Sequence, residues 1–326
     1  MVQKTNVALV GLGYWGKKLL SEYAYLHDNN RLNLVAVVDP DEQARKWVKQ
    51  NYPHIETVND VNTLLKKYSI NGVHIAVPNN LHYELSKYFL ENRINVLVEK
   101  PMTLSTRKAF KLIRIAEENN VHLLVGHIFR FNESIRYLKD VVFNGNLGRL
   151  LYMDLDWSSF LEPPKGRDII FDLGPHPVDI VNYVTGEWPK LVCTLGNSIK
   201  RGVLGLEEFS HTIMMMPDDI TVSIKLSWWE YGAKNRHVNA VFEDGRIFVD
   251  ALSQNIWVYN RNGKPETLSK KNNSMREMLI HFTKVIEKKE HPNNSAVIGG
   301  LTVSILEVMK HSLSKKTCEK TLGMGD

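Results

Sequence analysis

The sequence predicts two domains of different class. Residues 1–125 read as a doubly wound α/β domain with a parallel sheet, and residues 126–326 as an α+β domain with a mixed or antiparallel sheet. Three observations carry this. The first part alternates short apolar runs with amphipathic stretches. Those runs lack polar–apolar alternation, as strands buried on both faces of a parallel sheet do. After about Gly126 the pattern becomes a succession of β signals with little helix between them, separated by turn signals such as Pro217-Asp218-Asp219 and Asp244-Gly245.

Taken in order, residues 7–10 form a strand, 14–25 a helix, 32–38 a strand, 42–51 and 61–68 helices, and 72–76 a strand. Residues 82–91 follow as a helix, 96–99 as a strand, 105–119 as a helix and 123–125 as a strand. In the second part 131–143 is a helix, 150–157 a strand, and 178–184 lies in a helix. The β run covers 191–199, 209–215, 220–229, 237–242, 246–249 and 256–259, and helices at 274–288 and 294–312 close the chain. The polar tail from Ser314 is expected to be loose.

Composition narrows the function classes. The 326 residues carry a net charge of +5, spread in pairs such as Lys17-Lys18 and Lys66-Lys67. Without a basic run interleaved with aromatics, nucleic acid is not the expected partner. The excess suits anionic small molecules. No basic-then-apolar leader pattern is seen at the start, and no apolar segment approaches the roughly 20 residues of a membrane span. The two cysteines, Cys193 and Cys318, belong to no CxxC pair and make no disulfide framework. The expectation is a cytoplasmic protein with no membrane partner. No His/Cys spacing suggests a metal site.

Gly11-Leu12-Gly13-Tyr14-Trp15-Gly16 matches G-x-G-x-x-G between a strand and a helix. Gly11 allows the tight turn, Gly13 the approach of backbone to a pyrophosphate, and Gly16 close helix–strand packing. The helix N-terminus offers unpaired N–H groups to the phosphates. Asp39 ends the second strand, where a ribose-binding acid is expected. No Arg or Lys adjoins it in sequence, which favours NAD over NADP on this Rossmann domain. Tyr14 and Trp15 lie in the same loop, where they flank the cofactor or pack against strands.

Two later clusters carry candidate chemistry. Glu99-Lys100-Pro101 ends an apolar strand on the side where ligands of open α/β sheets bind. Pro101 favours an extended Lys100, and the bond between them is of the type that tolerates cis geometry. Asp172-Leu173-Gly174-Pro175-His176 brings an acid and a histidine near a helix start. A histidine titrates near neutrality and accepts a proton from an alcohol, and a carboxylate orients it. The competing readings are a surface lysine paired with Glu99, and Asp172 as a helix cap.

Together the clusters resemble the family of glucose-fructose oxidoreductase, inositol dehydrogenase and the rhizopine-catabolism oxidoreductases. Pro78-Asn79-Asn80-Leu81-His82 and Gly126-His127-Ile128-Phe129-Arg130-Phe131-Asn132 extend the resemblance over nearly the whole chain. It implies a large open sheet in the second domain, and a site between the domains lined by Lys100, Asp172 and His176. It also implies cofactor contacts from Pro78, Asn79, His82, Glu99 and Lys100, and a homodimer or homotetramer through the sheet. The expected reaction moves hydride between nicotinamide and a secondary alcohol of a sugar, polyol or nucleotide sugar. His176 accepts the hydroxyl proton and Lys100 stabilises the oxygen, or Lys100 is itself the base. Arg130, Trp157, Arg167 and Arg236 are candidate substrate contacts, each equally readable as surface charge or core. The alternatives are a non-catalytic dinucleotide-binding regulator, or a lyase or hydrolase that uses NAD transiently.

Overall fold

The computed structural model describes residues 4–203, 205–261 and 263–321. The chain divides into two compact units, Met1–Ile128 with Met275–Val303, and Phe129–Ser274 with Ser304–Asp326.

The first unit is built on β1 (Asn6–Val10), β2 (Asn33–Val38), β3 (Thr57–Val58), β4 (Gly72–Ile75), β5 (Asn95–Val98) and β6 (Leu123–Val125). All pair in parallel, in the order β3-β2-β1-β4-β5-β6. The helices α1 (Tyr14–Asp28), α2 (Glu42–Asn51), α3 (Val61–Lys67), α4 (His82–Glu91) and α5 (Thr106–Glu118) connect them. Strand order reverses between β1 and β4, so a ligand crevice is expected beyond their carboxyl ends. β3 escaped the sequence reading because two residues carry no periodicity; it exists through pairing of Val37 with Thr57 and Val38 with Val58.

The expected boundary, with everything after residue 125 in the second domain, needs correction. Residues 275–303 return to the first unit. The helix Ser274–Ile286 buries Met278, Leu279, Phe282 and Val285. A Cβ on Gly72 would stand 2.6 Å from Ile286 Cδ1 and 2.9 Å from Phe282 Cζ, so the helix packs closely on the start of β4. Asn294 Nδ2 donates to Val125 O (2.6 Å), and Ser295 bridges Leu124.

In the second unit α6 (Glu133–Asn144) precedes the long strand β7 (Leu150–Ser158), then α7 (Ile169–Leu173) and α8 (Pro175–Thr185). There follow β8 (Leu191–Asn197), β9 (Phe209–Met215), β10 (Thr221–Ser227), β11 (Asn235–Phe242), β12 (Gly245–Asp250), β13 (Asn255–Asn260), β14 (Glu266–Ser269) and β15 (Cys318–Lys320). They form one mixed sheet in the order β14-β13-β12-β11-β7-β10-β9-β8-β15. β7 and β10 are parallel neighbours and the other pairs are antiparallel. Burial alternates along β9 and β11, as in a sheet with one covered face. The covered face packs Leu155, Ile224, Val238 and Ala240 with Ile135, Leu138, Ile180 and Val181 of the helices.

Two further expectations change. The tail is not loose over Cys318–Lys320: β15 pairs with β8 and places Cys318 opposite Cys193 in a disulfide, with Cα atoms 4.2 Å apart. Cysteine usage therefore gives no support to a reducing compartment. Also, the helix Ala296–Lys315 is long and apolar enough to span a membrane by length and composition, although half of it is buried in the protein. Its apolar side includes Val303, Leu306 and Met309, all buried.

Candidate active site

At the β1–α1 turn each glycine has a separate geometric reason. Gly11 has φ +103°, and a Cβ there would lie 2.3 Å from Ala76 O. A Cβ on Gly16 would lie 2.1 Å from Gly11 O. Around Gly13 no atom lies within 4 Å of a Cβ position, so its missing side chain leaves open space. Gly13 is also the N-cap of α1, with no side-chain cap and no acid in the first turn. The helix end thus presents uncapped N–H groups to that space, a cradle that fits a pyrophosphate. Tyr14 is 79% exposed, with Lys18 Nζ 4.4 Å over its ring.

Asp39 stands beyond β2 and braces the loop: its Oδ2 accepts from Leu12 N (2.7 Å) and its Oδ1 from Asp41 N (2.9 Å). The sequence showed no basic neighbour here, but the structure supplies one. Arg45, one turn into α2, donates through Nη1 to Asp39 O (2.6 Å) and Pro40 O (2.8 Å). The signal was present as an i to i+6 spacing across a helix start, which local reading does not reach.

At the carboxyl end of β5, Lys100 is half-buried and joined to Pro101 by a cis peptide bond. Glu99 is only 7% exposed. His74 Nε2 approaches Glu99 Oε1 at 3.3 Å, and Tyr23 Oη lies 3.2 Å from His74 Nδ1. Burial alone would raise the Glu99 pKa, but His74, the buried Trp15 indole and the Lys100 charge outweigh it and hold the carboxyl below its usual value. Glu99 is therefore a buried, protein-bound carboxylate rather than the direct cofactor ligand first expected. His82 is likewise corrected. It is fully buried, with Nδ1 2.8 Å from Pro101 O and Nε2 3.0 Å from Val77 O. It ties the Lys100-Pro101 loop to the β4–α4 turn and offers no free polar atom to a cofactor. Burial lowers its pKa. In that turn Pro78 is exposed and Asn79 opens a short 3-10 segment.

In the second unit α7 and α8 meet at Gly174, where a Cβ would lie 2.3 Å from Ile170 O. Asp168, not Asp172, caps α7, accepting from Phe171 N (3.1 Å). Asp172 is thus not the helix cap. Its carboxylate, 14% exposed, has Arg167 Nη1 at 3.4 Å. His176 occupies the first turn of α8, its ring edge-on to Phe129 (5.1 Å), which packs edge-on to Trp157 (5.2 Å). Arg236 lies over Trp157 at 5.7 Å and donates to Ser158 O (3.2 Å). Burial depresses the Arg236 pKa to about 10, against the opposing charges of Asp156 and Asp172. This unit therefore links His176, Phe129, Trp157 and Arg236 through successive ring contacts, with the Asp172 charge acting on Arg236.

Two expected substrate contacts do not hold. Arg130 is buried in an ion pair with Asp179 (2.7 Å), bonds Asn182 Oδ1 (2.8 Å) and covers Tyr183. Trp157 is fully buried core. Arg167 is exposed and retains access. Among the described residues no cluster of His, Cys, Asp and Glu forms a metal site.

A parallel sheet of this order, with an open and uncapped glycine turn at its switch point, defines a dinucleotide-binding protein. The chain belongs to the GFO/IDH/MocA oxidoreductase family. The family's N-terminal model, an oxidoreductase family with an NAD-binding Rossmann fold, matches residues 5–127, and its C-terminal domain model matches residues 135–248. The chain is 25% identical over 260 residues to UDP-N-acetylglucosamine 3-dehydrogenase of Acidithiobacillus ferrooxidans, covering 78% of this chain and 77% of that protein. It is 28% identical over 210 residues to 2,7-anhydro-N-acetylneuraminate hydratase of Mediterraneibacter gnavus, covering 61% of this chain and 54% of the hydratase. With that relative and two others the match spans about half of their length. The aldose-aldose oxidoreductase of Caulobacter crescentus shares the fold, with a TM-score of 0.87 at 18% identity over 98% of this chain and all of the other.

Proposed function

We propose that the protein is an NAD-dependent dehydrogenase acting on a secondary alcohol of a sugar, polyol or nucleotide sugar. The observation that carries this is a lysine at the carboxyl end of β5, beside a buried carboxylate, in a sheet whose glycine turn fits a pyrophosphate. When bound, NAD supplies the hydride acceptor. Gly11, Gly13, Gly16 and the α1 N-terminus hold the phosphates, Asp39 faces the adenosine ribose, and Pro78 and Asn79 lie toward the nicotinamide. His176 accepts the hydroxyl proton, and Lys100 donates a hydrogen bond to the oxygen as negative charge builds there. Asp172 orients His176, and the exposed Arg167 holds a substrate oxygen.

The test is NADH formation across a panel of polyols, sugars and nucleotide sugars, with NADP in parallel. Reduction with one substrate class supports the reading. Demonstrated NAD binding with no reduction by any of them overturns it. The hydratase relative favours a second reading, transient use of NAD without net reduction. Mass spectrometry of the same reactions separates the two, because a hydratase changes substrate mass by one water with no NADH.

The outer face of the large sheet exposes Leu195 (68%), Ile213 (44%) and Met215 (50%). Apolar exposure of this kind supports a homodimer through that face. Sedimentation of the wild type and of Met215→Glu tests it: a monomeric wild type rejects the dimer.

A further inference from the structure

We propose that His74, backed by Tyr23, is a positioning residue of the reaction: it keeps Glu99 an oriented carboxylate beside Lys100. The inference rests on the dehydrogenase reading above.

All of β4 is buried, and such strands are ordinarily apolar throughout. His74 is 0% exposed in the middle of it, Tyr23 of α1 is 0% exposed behind it, and Glu99 is 7% exposed in front. Three polar side chains in one buried line are costly unless every one is satisfied. The accounting has one economical solution. The Tyr23 hydroxyl donates to His74 Nδ1 (3.2 Å), so the ring's proton resides on Nε2 and is donated to Glu99 Oε1 (3.3 Å). This tautomer is assigned from the network. With that tautomer and an ionised Glu99 every member of the line has a partner. In the reverse arrangement a protonated Glu99 donates to Nε2 and the Tyr23 hydroxyl loses its acceptor.

The carboxylate is fixed from the other side as well. A Cβ on Gly126 would lie 2.9 Å from both Glu99 oxygens, so the slot exists because residue 126 is glycine. The charged and titratable groups around Glu99 are His74 from β4, Tyr23 from α1, His82 from α4 and the adjoining Lys100. Trp15 is the polar neighbour from the glycine turn. Of the charged groups, Lys100 is the one the proposed reaction uses. The fixed negative charge of Glu99 interacts with the Lys100 ammonium, the group that donates to the substrate oxygen in the proposed reaction. An aliphatic residue at position 74 would serve packing equally well, but would leave Glu99 desolvated without its donor.

The experiment compares His74→Leu, His74→Gln and Tyr23→Phe with the wild type, with Glu99→Gln to assign the signal. Infrared difference spectra of the NAD-loaded protein read the protonated carboxyl band of Glu99 between about pH 5 and 9, and kcat and KM are measured over the same span. Wild type should show no Glu99 band. His74→Leu removes the donor, so burial raises the Glu99 pKa and the band appears as pH falls. Its kcat should drop about tenfold at the acid end and recover at the alkaline end, with KM little changed. His74→Gln keeps an N–H donor and should restore most of the profile; Tyr23→Phe should shift it less, in the same direction. An ionised Glu99 throughout in both His74→Leu and Tyr23→Phe overturns the proposal, as does a kcat loss equal at every pH. The infrared arm needs no substrate, so failure of the dehydrogenase reading is seen separately.

Discussion

At the β1–α1 turn the backbone itself is the constraint: a Cβ on Gly11 would meet Ala76 O at 2.3 Å, and one on Gly16 would meet Gly11 O at 2.1 Å. At the α7–α8 junction one glycine is fixed in the same manner, since a Cβ on Gly174 would meet Ile170 O at 2.3 Å. The side chains around Gly174, however, draw their surroundings from distant strands. Arg236 comes from β11 and Trp157 from β7, while Phe129 precedes α6. A cofactor turn is thus encoded over six consecutive residues, and the second cluster over more than a hundred. The first is therefore open to local reading, and the second is open only where it too is local, at Asp172-Leu173-Gly174-Pro175-His176.

The strongest way to break this comparison is Gly11→Ala. The substitution places a Cβ against a carbonyl at positive φ, where L-residues lose about 1–2 kcal/mol before any clash. NAD binding, followed by fluorescence titration, should fall by at least about a hundredfold, a loss of roughly 3 kcal/mol. Retained affinity would show that the turn is not the phosphate cradle.

Next come two residues of the second unit that look equally functional in sequence. His176→Ala should lower kcat by about a hundredfold or more and leave NAD affinity and melting temperature nearly unchanged. Arg130→Ala should do the reverse. It removes the ion-pair partner of the buried Asp179, at a cost of about 3–5 kcal/mol in denaturant unfolding, with turnover per folded molecule preserved. An Arg130→Ala variant of normal stability and raised KM would return Arg130 to the substrate site.

This pair shows what the sequence leaves illegible. The strand–helix alternation, the glycine turn and the candidacy of Lys100 and His176 follow from short-range pattern. Whether an arginine is solvated, paired or aimed at substrate depends on partners such as Asp179, forty-nine residues away. The same holds for β15, a polar three-residue strand that exists because β8 offers it an edge and Cys193 a disulfide. His74 is buried and its signal is readable: a polar residue inside the apolar run Gly72-Val73-His74-Ile75.

Glu208 sharpens the comparison through pH. It is fully buried and accepts from Lys200 N (3.0 Å), Arg201 N (2.9 Å), Arg201 Nε (3.0 Å) and Trp229 Nε1 (2.7 Å). Burial pushes its pKa up, but these donors prevail and depress it to about 2. A carboxylate depressed in the folded state stabilises above its unfolded pKa, and that stability is lost as pH falls through the folded one. The second unit should lose on the order of 2–3 kcal/mol between about pH 5 and pH 2. Glu208→Gln should be less stable at neutral pH and flatter across that window; an unchanged slope would place the acid sensitivity elsewhere.

The smallest effect probes a place where local reading of the legible unit missed a neighbour. Both Asp39 carboxylate oxygens accept backbone N–H groups, and the Arg45 guanidinium sits at the same strand end, anchored through Nη1 to Asp39 O and Pro40 O. A carboxylate there disfavours a ribose 2′-phosphate, while an arginine beside it answers one. With Asp39 drawn toward the loop, discrimination against NADP should be modest in the wild type. Arg45→Ala should weaken NADP binding by about tenfold, near 1.4 kcal/mol for one charge-assisted contact, and leave NAD within about twofold. Titrating both cofactors against both proteins decides it. Equal weakening of NAD and NADP would mean that Arg45 only buttresses the β2 end, and that Asp39 alone sets the preference.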